Sequence, residues 1–409
     1  MSSLFYLAYG GAEITVFDSQ VLTLINRVQT EGIKTQLVIF HDWKDFLFNR
    51  SYVQRKKKEC RDAGGLDPIF LPRAPRDFLG INSFNLRRLL NHDNAPKLIH
   101  ARGAQGAYLA CQMKTNRPQT KVLFDCRGLE AEEYLMIVEK EKNRRPTSGD
   151  RQWFNRLKKM EAQAARQADH IFCVSQTLKE RFLKNYGVKA DKIDVIPCCM
   201  EESRFQTPNA QRQASRQKLG IENRLVLTFA GSVRAWQPAL WLAKTFQSAK
   251  KADPSCFLLV LTPARNQTIA ILKEHGVNAA DFHVLTTDHR TTPQYLNAGD
   301  IGILLRENHP VNEVACPTKT AEYLAAGNLL ITTPHPKDIA HLIKTENAGS
   351  VILSPDDQPG IENAIRYLSG MIRGQGDALR NRINQVAKNH FSWNRYLPTI
   401  LRRYQELSS

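Results

Sequence analysis

The stretch CPTKTAEYLAAGNLLITT, from Cys316 to Thr333, divides into two halves with different patterns. Thr318 fits the N-cap of a helix that runs from 319 to about 326, and Gly327 fits the C-terminal stop of that helix. The apolar run NLLITT follows directly and has the length of a buried strand. A helix joined so closely to an apolar strand is typical of α/β folds with parallel sheets.

The same alternation of short apolar runs and helical stretches continues along the whole chain of 409 residues, which is long enough for two hydrophobic cores. The runs are nearly continuous in apolar residues, as strands buried on both faces are. We therefore predict an α/β fold of two tandem Rossmann-like, doubly wound parallel-sheet domains. The strand candidates are LFYLAY, TQLVIF, KLIHA, KVLFDC, HIFCVS and KIDVIP in the first half, and RLVLTFAG, CFLLVLT, FHVLTT, IGILL, NLLITT and SVILS in the second.

The polar stretch from Met200 to Asn223 separates the two series of strands and is predicted to be the linker. We predict an N-terminal domain over residues 1–203 and a C-terminal domain over 204–385. A final helix over 386–409, interrupted at Phe391–Trp393, is predicted to pack back toward the N-terminal domain. Two such sheets would direct the carboxyl ends of their strands, where ligands bind in this class, toward a central cleft.

The chain carries 57 basic and 40 acidic residues, a formal net charge of +17. Nucleic acid and an anionic membrane surface are candidate partners for its basic clusters, although a solvated basic face explains any single cluster. The aromatic residues do not alternate with the basic ones, which argues against a single-strand nucleic-acid platform. A helix over Trp153–Arg166 fits either core packing or an interfacial position, and core packing is the simpler interpretation.

The eight cysteines are scattered without a CxxC pair, which indicates buried free thiols rather than a disulfide or zinc framework. The chain begins MSSLFYLAYGG, without the basic segment of a signal peptide, and no apolar run approaches the roughly 20 residues that span a bilayer. These features predict a cytoplasmic protein.

The helix that begins near Thr318 is a candidate phosphate site, because a helix N-terminus offers free N–H groups and a partial positive charge. Lys319 would add a point charge, and Glu322 could accept hydrogen bonds from two ribose hydroxyls on the same face. The alternative is a capped helix whose lysine and glutamate merely pair with each other in solvent.

Other candidate residues lie at the ends of predicted strands in the N-terminal domain. Gly10 and Gly11 follow the opening strand and would allow a ligand to approach the backbone closely. His100 and Arg102 end another strand and are predicted to line the cleft. Asp125 ends the strand KVLFDC, where it is expected to brace a neighbouring arginine.

PTKTAEYLAAGNLLITT resembles the donor-binding signature of the family 4 retaining glycosyltransferases. Further stretches resemble other parts of the same family in the expected order, and together they cover most of the chain. The resemblance implies the GT-B fold. These stretches are KLIHARGAQGAYLA, KVLFDCRGLEAEE, QAARQADHIFCVSQTLKERFLKNYGVKADKIDVIPC, LVLTFAGSVRAWQ and LNAGDIGILL.

The resemblance implies donor-binding roles in the C-terminal domain. Glu322 takes the place of the later glutamate of an E-x7-E pair and would bind the donor ribose, while Pro317, Thr318 and Lys319 fall where the diphosphate is held. The earlier glutamate is not in register, since its position holds Val314 and the nearest carboxylate is Glu313, one residue away.

The resemblance also implies catalytic cations. Family members commonly carry an arginine just after Gly231 and a lysine some five residues later, whereas here the best substitute is Arg234, acting with Lys319. Arg127 stands where many members have a histidine near the transferred sugar. The loop of Gly10 would lie near the diphosphate and the acceptor.

The implied reaction is transfer of a sugar from a nucleotide sugar to a glycan or a lipid-linked acceptor, with retention, without a metal and without a cofactor. No dedicated protein nucleophile is expected, and the leaving phosphate serves as base. A peripheral position on the inner face of the membrane and no nucleic-acid partner are further expectations. The alternatives are a catalytically inactive relative that binds glycans or a partner, a basic nucleic-acid-binding protein and a sugar-nucleotide epimerase.

Overall fold

A computed structural model describes residues 3–10, 16–75, 80–91, 96–205, 209–233, 238–288 and 290–409. The chain forms two compact units. The first unit contains Met1–Val138, Arg145–Pro197 and Tyr396–Ser409, and the second contains Glu139–Arg144 and Cys198–Arg395. The predicted α/β class, with a parallel sheet in each half of the chain, is confirmed.

The sheet of the first unit has seven described strands in the order β3-β2-β1-β4-β5-β6-β7, all parallel. The order reverses direction between β1 and β4, which is the topological switch point of a doubly wound sheet. Its central strands are buried on both faces, which explains their continuous apolar sequences. The strands are β1 (Ser3–Tyr9), β2 (Lys34–Asp42), β3 (Ile69–Arg73), β4 (Leu98–Arg102), β5 (Lys121–Cys126), β6 (His170–Cys173) and β7 (Ile193–Val195).

Helices connect these strands. A π-helical turn over Asp18–Leu22 leads into the first of them. The helices are α1 (Thr23–Thr30), α2 (Trp43–Phe48), α3 (Arg50–Gly64), α4 (Ile81–Leu90), α5 (Ala104–Gln112), α6 (Glu130–Lys140), α7 (Ser148–Gln167) and α8 (Gln176–Tyr186). Leu157 and Met160 of α7 form a buried cluster with Ala131, and Trp153 and Phe154 pack against it. Core packing is therefore the correct interpretation of this stretch.

The sheet of the second unit has six described strands in the order β10-β9-β8-β11-β12-β13, also parallel. Its switch point lies between β8 and β11. The strands are β8 (Leu225–Ala230), β9 (Cys256–Leu261), β10 (Phe282–Leu285), β11 (Ile301–Leu304), β12 (Leu329–Thr332) and β13 (Gly349–Val351). The helices are α9 (Asn209–Leu219), α10 (Ala239–Ala252), α11 (Arg265–Glu274), α12 (Thr292–Ala298), α13 (Pro310–Glu313), α14 (Thr318–Ala325), α15 (Lys337–Thr345) and α16 (Gln358–Phe391). Helix α17 (Trp393–Ser408) follows the break at Ser392.

Two expectations about local structure were wrong. The segment predicted to be a linker forms α9, which Arg216 fixes to the second unit through a hydrogen bond to Ala298 O at 2.8 Å and an ion pair with Asp300. Polar composition hid this helix, because its buried contacts are made by guanidinium groups. Strand β3 was missed because IFLPR contains Pro72, and proline is tolerated in an edge strand such as this one.

The eight cysteines are buried and free, as predicted. Thr318 does not cap α14 but begins it, since Pro317 is the N-cap residue and no side chain accepts a hydrogen bond there. Gly327 ends α14 with a φ of 74°, the left-handed conformation that glycine adopts without strain.

Candidate functional site

The N-terminus of α14 lies at the carboxyl edge of the second sheet. Tyr323 fixes it there, because the Tyr323 hydroxyl accepts a hydrogen bond from the backbone N–H of Ala230, the last residue of β8, at 2.7 Å. The same ring lies on β11, where a Cβ atom at Gly302 would come within 2.5 Å of it. Tyr323 thus joins α14 to the two strands that flank the switch point, the position where doubly wound sheets bind ligands.

The amino end of α14 is open to an anion. Among the described residues, no side chain caps it, so its first backbone N–H groups and the positive end of the helix dipole remain available. The carboxyl end of α14, in contrast, is fixed by hydrogen bonds from two side chains. Arg380 donates a hydrogen bond to Ala326 O at 2.6 Å, and Asn384 donates one to Ala325 O. Cations stabilise that end of a helix. Sequence reasoning missed both residues, which lie more than 50 positions away on α16 without a recognisable motif.

Lys319 and Glu322 form an ion pair, with 2.6 Å between Lys319 Nζ and Glu322 Oε2. The Glu322 side chain is nearly buried, whereas that of Lys319 is partly exposed. The two predicted ligand groups therefore neutralise each other in this structure. A diphosphate at the end of the helix would offer Lys319 a more highly charged partner and release the Glu322 carboxylate to accept hydrogen bonds from hydroxyls.

Glu313 lies at the end of the short helix α13, and one of its carboxylate oxygens is 3.3 Å from Lys337 Nζ. His335 follows β12 nearby, and partial burial lowers the pKa of its imidazole. Thr333 connects the loops after β11 and β12, since its hydroxyl accepts a hydrogen bond from the backbone N–H of Arg306 at 2.8 Å. These loops place Glu313, His335 and Lys337 at the carboxyl edge of the second sheet. His335 and Lys337 were not predicted.

Two of the predicted residues, Gly11 and Arg234, lie outside the described residues. Gly10 is described and has a φ of 85°, which favours glycine. Its backbone N–H donates a hydrogen bond to Phe40 O at 2.9 Å, which joins the end of β1 to the end of β2. A Cβ atom at this position would collide with the guanidinium group of Arg73.

Asp125 organises the predicted residues of the first unit. Its carboxylate accepts hydrogen bonds from Arg102 and Arg127, each at 3.2 Å. Arg127 also donates to Gln20 Oε1 at 3.2 Å. Asp125 is 3% exposed, and although burial opposes ionisation, Arg127 and the other cationic neighbours hold its pKa well below the ordinary value. The predicted brace for Arg127 is present, and it orients Arg102 as well.

His100 does not line an open surface, contrary to prediction, because it is 1% exposed. Its ring stacks on Tyr6 with the centroids 4.4 Å apart, and its Nδ1 atom lies 2.6 Å from the hydroxyl oxygen of Tyr404. Burial lowers the pKa of His100. His100 and Arg102 are two residues apart and share one face of β4, but Tyr6 and Tyr404 cover His100, whereas Arg102 is the last residue of the strand.

Glu130 closes the N-terminus of α5 at the first switch point. Its carboxylate accepts hydrogen bonds from the backbone N–H groups of Ala104 and Gln105. Burial nevertheless raises the pKa of Glu130 to about 7. A carboxylate of this chain therefore takes the place that a bound anion would occupy at such a helix end.

The described part of the chain contains no group of three or more His, Cys, Asp or Glu side chains arranged to hold a metal ion. None of the described helices is both long and apolar enough to cross a membrane.

Comparison with known proteins connects these features to a family. Residues 10–204 match the family model described as Glycosyltransferase Family 4. The N-terminal part of the chain is thus similar to the glycosyltransferases of that family. TuaH of Bacillus subtilis strain 168, assigned as a teichuronic acid biosynthesis glycosyltransferase, is 27% identical over 184 residues. That alignment covers 44% of each chain, so it spans less than half the length of the relative.

Solved structures show that the fold is GT-B over essentially the whole chain. Anabaena Alr3699/HepE in complex with UDP has a TM-score of 0.72 at 12% identity, with 99% of this chain and 100% of that chain covered. A Listeria monocytogenes protein assigned as a UDP-N-acetylglucosamine 2-epimerase has a TM-score of 0.57 at 13% identity, with 99% and 97% covered. These likenesses establish the fold, which also occurs in a protein assigned as an epimerase.

Proposed function

We propose that this chain is a retaining glycosyltransferase that transfers a sugar from a uridine diphosphate sugar to a hydroxyl of a glycan or lipid-linked acceptor. The observation that carries the proposal is the uncapped N-terminus of α14 at the switch point of the second sheet, with Lys319 and Glu322 beside it. The choice of uridine is supported by HepE, which has been solved with UDP and with UDP-glucose. TuaH supports an acceptor in polysaccharide or glycoconjugate biosynthesis.

In this reaction the bond between the anomeric carbon and the phosphate oxygen breaks while the acceptor oxygen bonds to the same carbon. Negative charge then develops on the leaving diphosphate, and the N–H groups of α14 together with Lys319 are positioned to stabilise it. Glu322 accepts hydrogen bonds from the ribose hydroxyls, and Thr318 contributes a hydroxyl to the phosphates. The proton of the acceptor passes to the leaving phosphate, so no protein nucleophile is required.

We assign acceptor binding to the first unit, with Arg127 as the candidate catalytic cation and Arg102 beside it. Both guanidinium groups are oriented by Asp125 and are partly exposed. Glu313 is assigned to the transferred sugar together with His335, since both follow strands at the same carboxyl edge of the second sheet as α14. No metal takes part in this scheme, so chelation with EDTA is expected to leave the rate unchanged.

Thermal unfolding in the presence of UDP, UDP-glucose, UDP-N-acetylglucosamine, ADP and GDP tests donor binding. A ligand that binds only the folded protein raises the unfolding midpoint, and about 100 times its Kd contributes roughly 2.7 kcal/mol. We expect the uridine compounds to raise the midpoint and Lys319→Ala to abolish the effect. No shift with any nucleotide would contradict the donor site.

A transfer assay then separates the candidate activities. Release of UDP that depends on an acceptor supports the proposal. Interconversion of two UDP-sugars without an acceptor would identify an epimerase. Binding of UDP with neither reaction would identify an inactive relative. The ion pair between Glu313 and Lys337 favours this alternative, because it engages the carboxylate that is assigned to the sugar.

A further inference from the structure

A connected series of buried side chains links the C-terminal helix α17 to the arginines of the first unit. The hydroxyl oxygen of Tyr404, on α17, is 2.6 Å from Nδ1 of His100. The other ring nitrogen of His100, Nε2, is 3.4 Å from Oδ2 of Asp125. Asp125 in turn accepts hydrogen bonds from Arg102 and Arg127. We call Tyr404, His100 and Asp125 the positioning chain.

The position of the proton on His100 follows from its two neighbours. Although burial opposes ionisation, Arg127 and Arg102 hold the pKa of Asp125 well below its ordinary value, so its carboxylate can only accept hydrogen bonds. Burial lowers the pKa of His100, so the imidazole is neutral and carries a single proton. That proton belongs on Nε2, which faces the carboxylate. Burial raises the pKa of Tyr404 well above its ordinary value, so its hydroxyl keeps its proton and donates a hydrogen bond to Nδ1.

Packing holds the ring of His100 independently of the Tyr404 hydroxyl. Tyr6 stacks on the ring with the centroids 4.4 Å apart, and Phe172 meets it edge to face with the centroids 6.0 Å apart. Loss of the hydroxyl would therefore leave the imidazole in place but allow its proton to move to Nδ1, because the partner of one ring nitrogen sets the protonation of the other. The lone pair of Nε2 would then face the Asp125 carboxylate and repel it.

Both arginines depend on the orientation of the Asp125 carboxylate. Oδ2 accepts a hydrogen bond from Arg102 Nη1 at 3.2 Å and is the oxygen that His100 faces. Oδ1 accepts a hydrogen bond from Arg127 Nη1 at 3.2 Å. A rotation of the carboxylate would thus move both guanidinium groups together. Such displacements matter for a reaction, because a misplacement of about 1 Å can lower a rate by roughly 10²-fold.

We propose that Tyr404 and His100 are positioning residues for the transfer reaction. The Tyr404 hydroxyl selects the imidazole tautomer that directs an N–H group at Asp125. The carboxylate then holds Arg102 and Arg127 in the orientation that the reaction uses. The inference rests on the proposed function, which assigns these arginines to the acceptor side, and it adds that turnover depends on a proton position set by the C-terminal helix.

Nuclear magnetic resonance of isotope-labelled histidine side chains tests the tautomer directly. His100 is assigned as the signal that is absent from the spectrum of His100→Gln. We expect the wild-type signal to show the proton on Nε2, and we expect Tyr404→Phe to shift the equilibrium toward Nδ1. A proton on Nδ1 in the wild type would overturn the proposal, whether or not the chain has transferase activity.

Steady-state release of UDP from UDP-glucose tests the effect on turnover. Tyr404→Phe keeps the packed ring and should lower kcat by about tenfold, because it disturbs groups that orient the arginines. Protection by UDP against thermal unfolding should stay at the wild-type level. Tyr186→Phe is the matched control, since the Tyr186 hydroxyl also makes hydrogen bonds within the first unit, but to Glu161 and Lys158 of α7 instead of the positioning chain. We expect Tyr186→Phe to lower the unfolding midpoint without lowering kcat.

A double-mutant cycle separates positioning from stability. In His100→Gln the side-chain amide nitrogen can take the place of Nε2, and its protons do not depend on a tautomer. Adding Tyr404→Phe to His100→Gln should therefore change kcat by less than about twofold, since residues that act through each other give non-additive effects. Circular dichroism and thermal unfolding establish that each variant is folded. Additive losses of kcat would overturn the proposal.

The remaining outcomes distinguish this inference from the proposed function. If Tyr404→Phe releases UDP as fast as the wild type does, or if Tyr186→Phe loses as much kcat, the positioning role is refuted and the glycosyltransferase proposal stands. If the wild type neither binds UDP nor releases it, the proposed function is refuted, and the role of Tyr404 in turnover with it. The resonance experiment then still decides whether Tyr404 sets the proton on His100.

Discussion

Both units have a topological switch point, but the N-termini of the helices beside the two switch points differ in whether a side chain caps them. In the first unit, Glu130 closes the N-terminus of α5. In the second unit, the N-terminus of α14 has no side-chain cap, and its nearest charged groups, Lys319 and Glu322, pair with each other. The first helix end is therefore satisfied by the protein itself, and the second is available to an external anion.

The arginines show the same contrast. Arg102 and Arg127 converge on the buried Asp125, which fixes their orientation. Arg380 instead holds the carboxyl end of α14, far along the helix from the proposed phosphates. We infer that the second unit is arranged to bind the charged donor, and that the first presents cations already oriented for a reaction partner.

The largest expected effect is loss of donor use in the second unit. Lys319→Ala and Glu322→Ala should each lower kcat/KM by about 10²- to 10³-fold, because each removes a group that contacts the donor, and Lys319 stabilises the charge that develops on it. The chain should remain folded, since the pair lies at one helix end. Steady-state release of UDP with UDP-glucose as donor measures the effect.

Lys244→Ala is the control for that experiment, because it breaks another ion pair of the second unit, that with Asp356 at 2.5 Å, away from α14. We expect its turnover to equal that of the wild type. Normal turnover in both Lys319→Ala and Glu322→Ala would refute the donor site.

The second effect concerns stability of the first unit. Asp125→Asn should lower the free energy of unfolding by about 3 kcal/mol, because it leaves two arginines without their shared buried carboxylate. Asp194→Asn is the control, since Asp194 likewise pairs with a histidine and an arginine, His170 and Arg403, but is more exposed. Urea unfolding of both variants measures the difference, and an equal cost would show that the Asp125 network contributes no special stability.

The sequence predicted the α/β class and the positions of most strands, because buried parallel strands leave continuous apolar runs. It also predicted the helix from about 318 to 326 and its stop at Gly327. It misplaced the cap, because Thr318 has the composition of an N-cap whereas Pro317 holds that position. The start of the helix therefore moves by one residue, while the spacing of its apolar residues, from which the helix was predicted, stays the same.

The candidate site was predicted less completely than the fold. Lys319 and Glu322 could be found because their spacing places them on one helical face. Glu130 and Arg380 could not, since each acts on backbone groups remote in sequence, and hydrogen bonds to backbone leave no residue pattern. His100 was misassigned because the end of a strand predicts proximity to the edge but not the depth of a particular side chain.

The pH dependence of stability should reveal Glu130. Its pKa rises from the ordinary 4.5 to about 7, so the native state binds more protons than the unfolded state between these values. The free energy of unfolding should therefore fall as the pH rises through this range, by up to about 3 kcal/mol from this group. Glu130→Gln should remove that part of the slope in urea unfolding.

Glu139→Gln provides the comparison for Glu130, because Glu139 lies on the same helix but is exposed. We expect its pH profile to match that of the wild type. If Glu130→Gln also leaves the profile unchanged, the pKa of Glu130 is not raised in the folded protein. The N-terminus of α5 would then differ less from that of α14 than the structure indicates.

The smallest effect compares two threonines at helix starts. Thr147 caps α7 within a capping box, in which Asp150 accepts a hydrogen bond from the Thr147 backbone N–H at 2.8 Å. Thr147→Ala should lower the free energy of unfolding by about 1 kcal/mol. Thr318→Ala should change it by less than about 0.5 kcal/mol, because Thr318 makes no cap. Its effect should appear instead as a several-fold rise in KM for the donor, since a hydrogen bond to phosphate contributes about 1 kcal/mol or more. A stability loss in Thr318→Ala as large as that in Thr147→Ala, with KM unchanged, would mean that the open end of α14 is a structural helix start rather than a phosphate site.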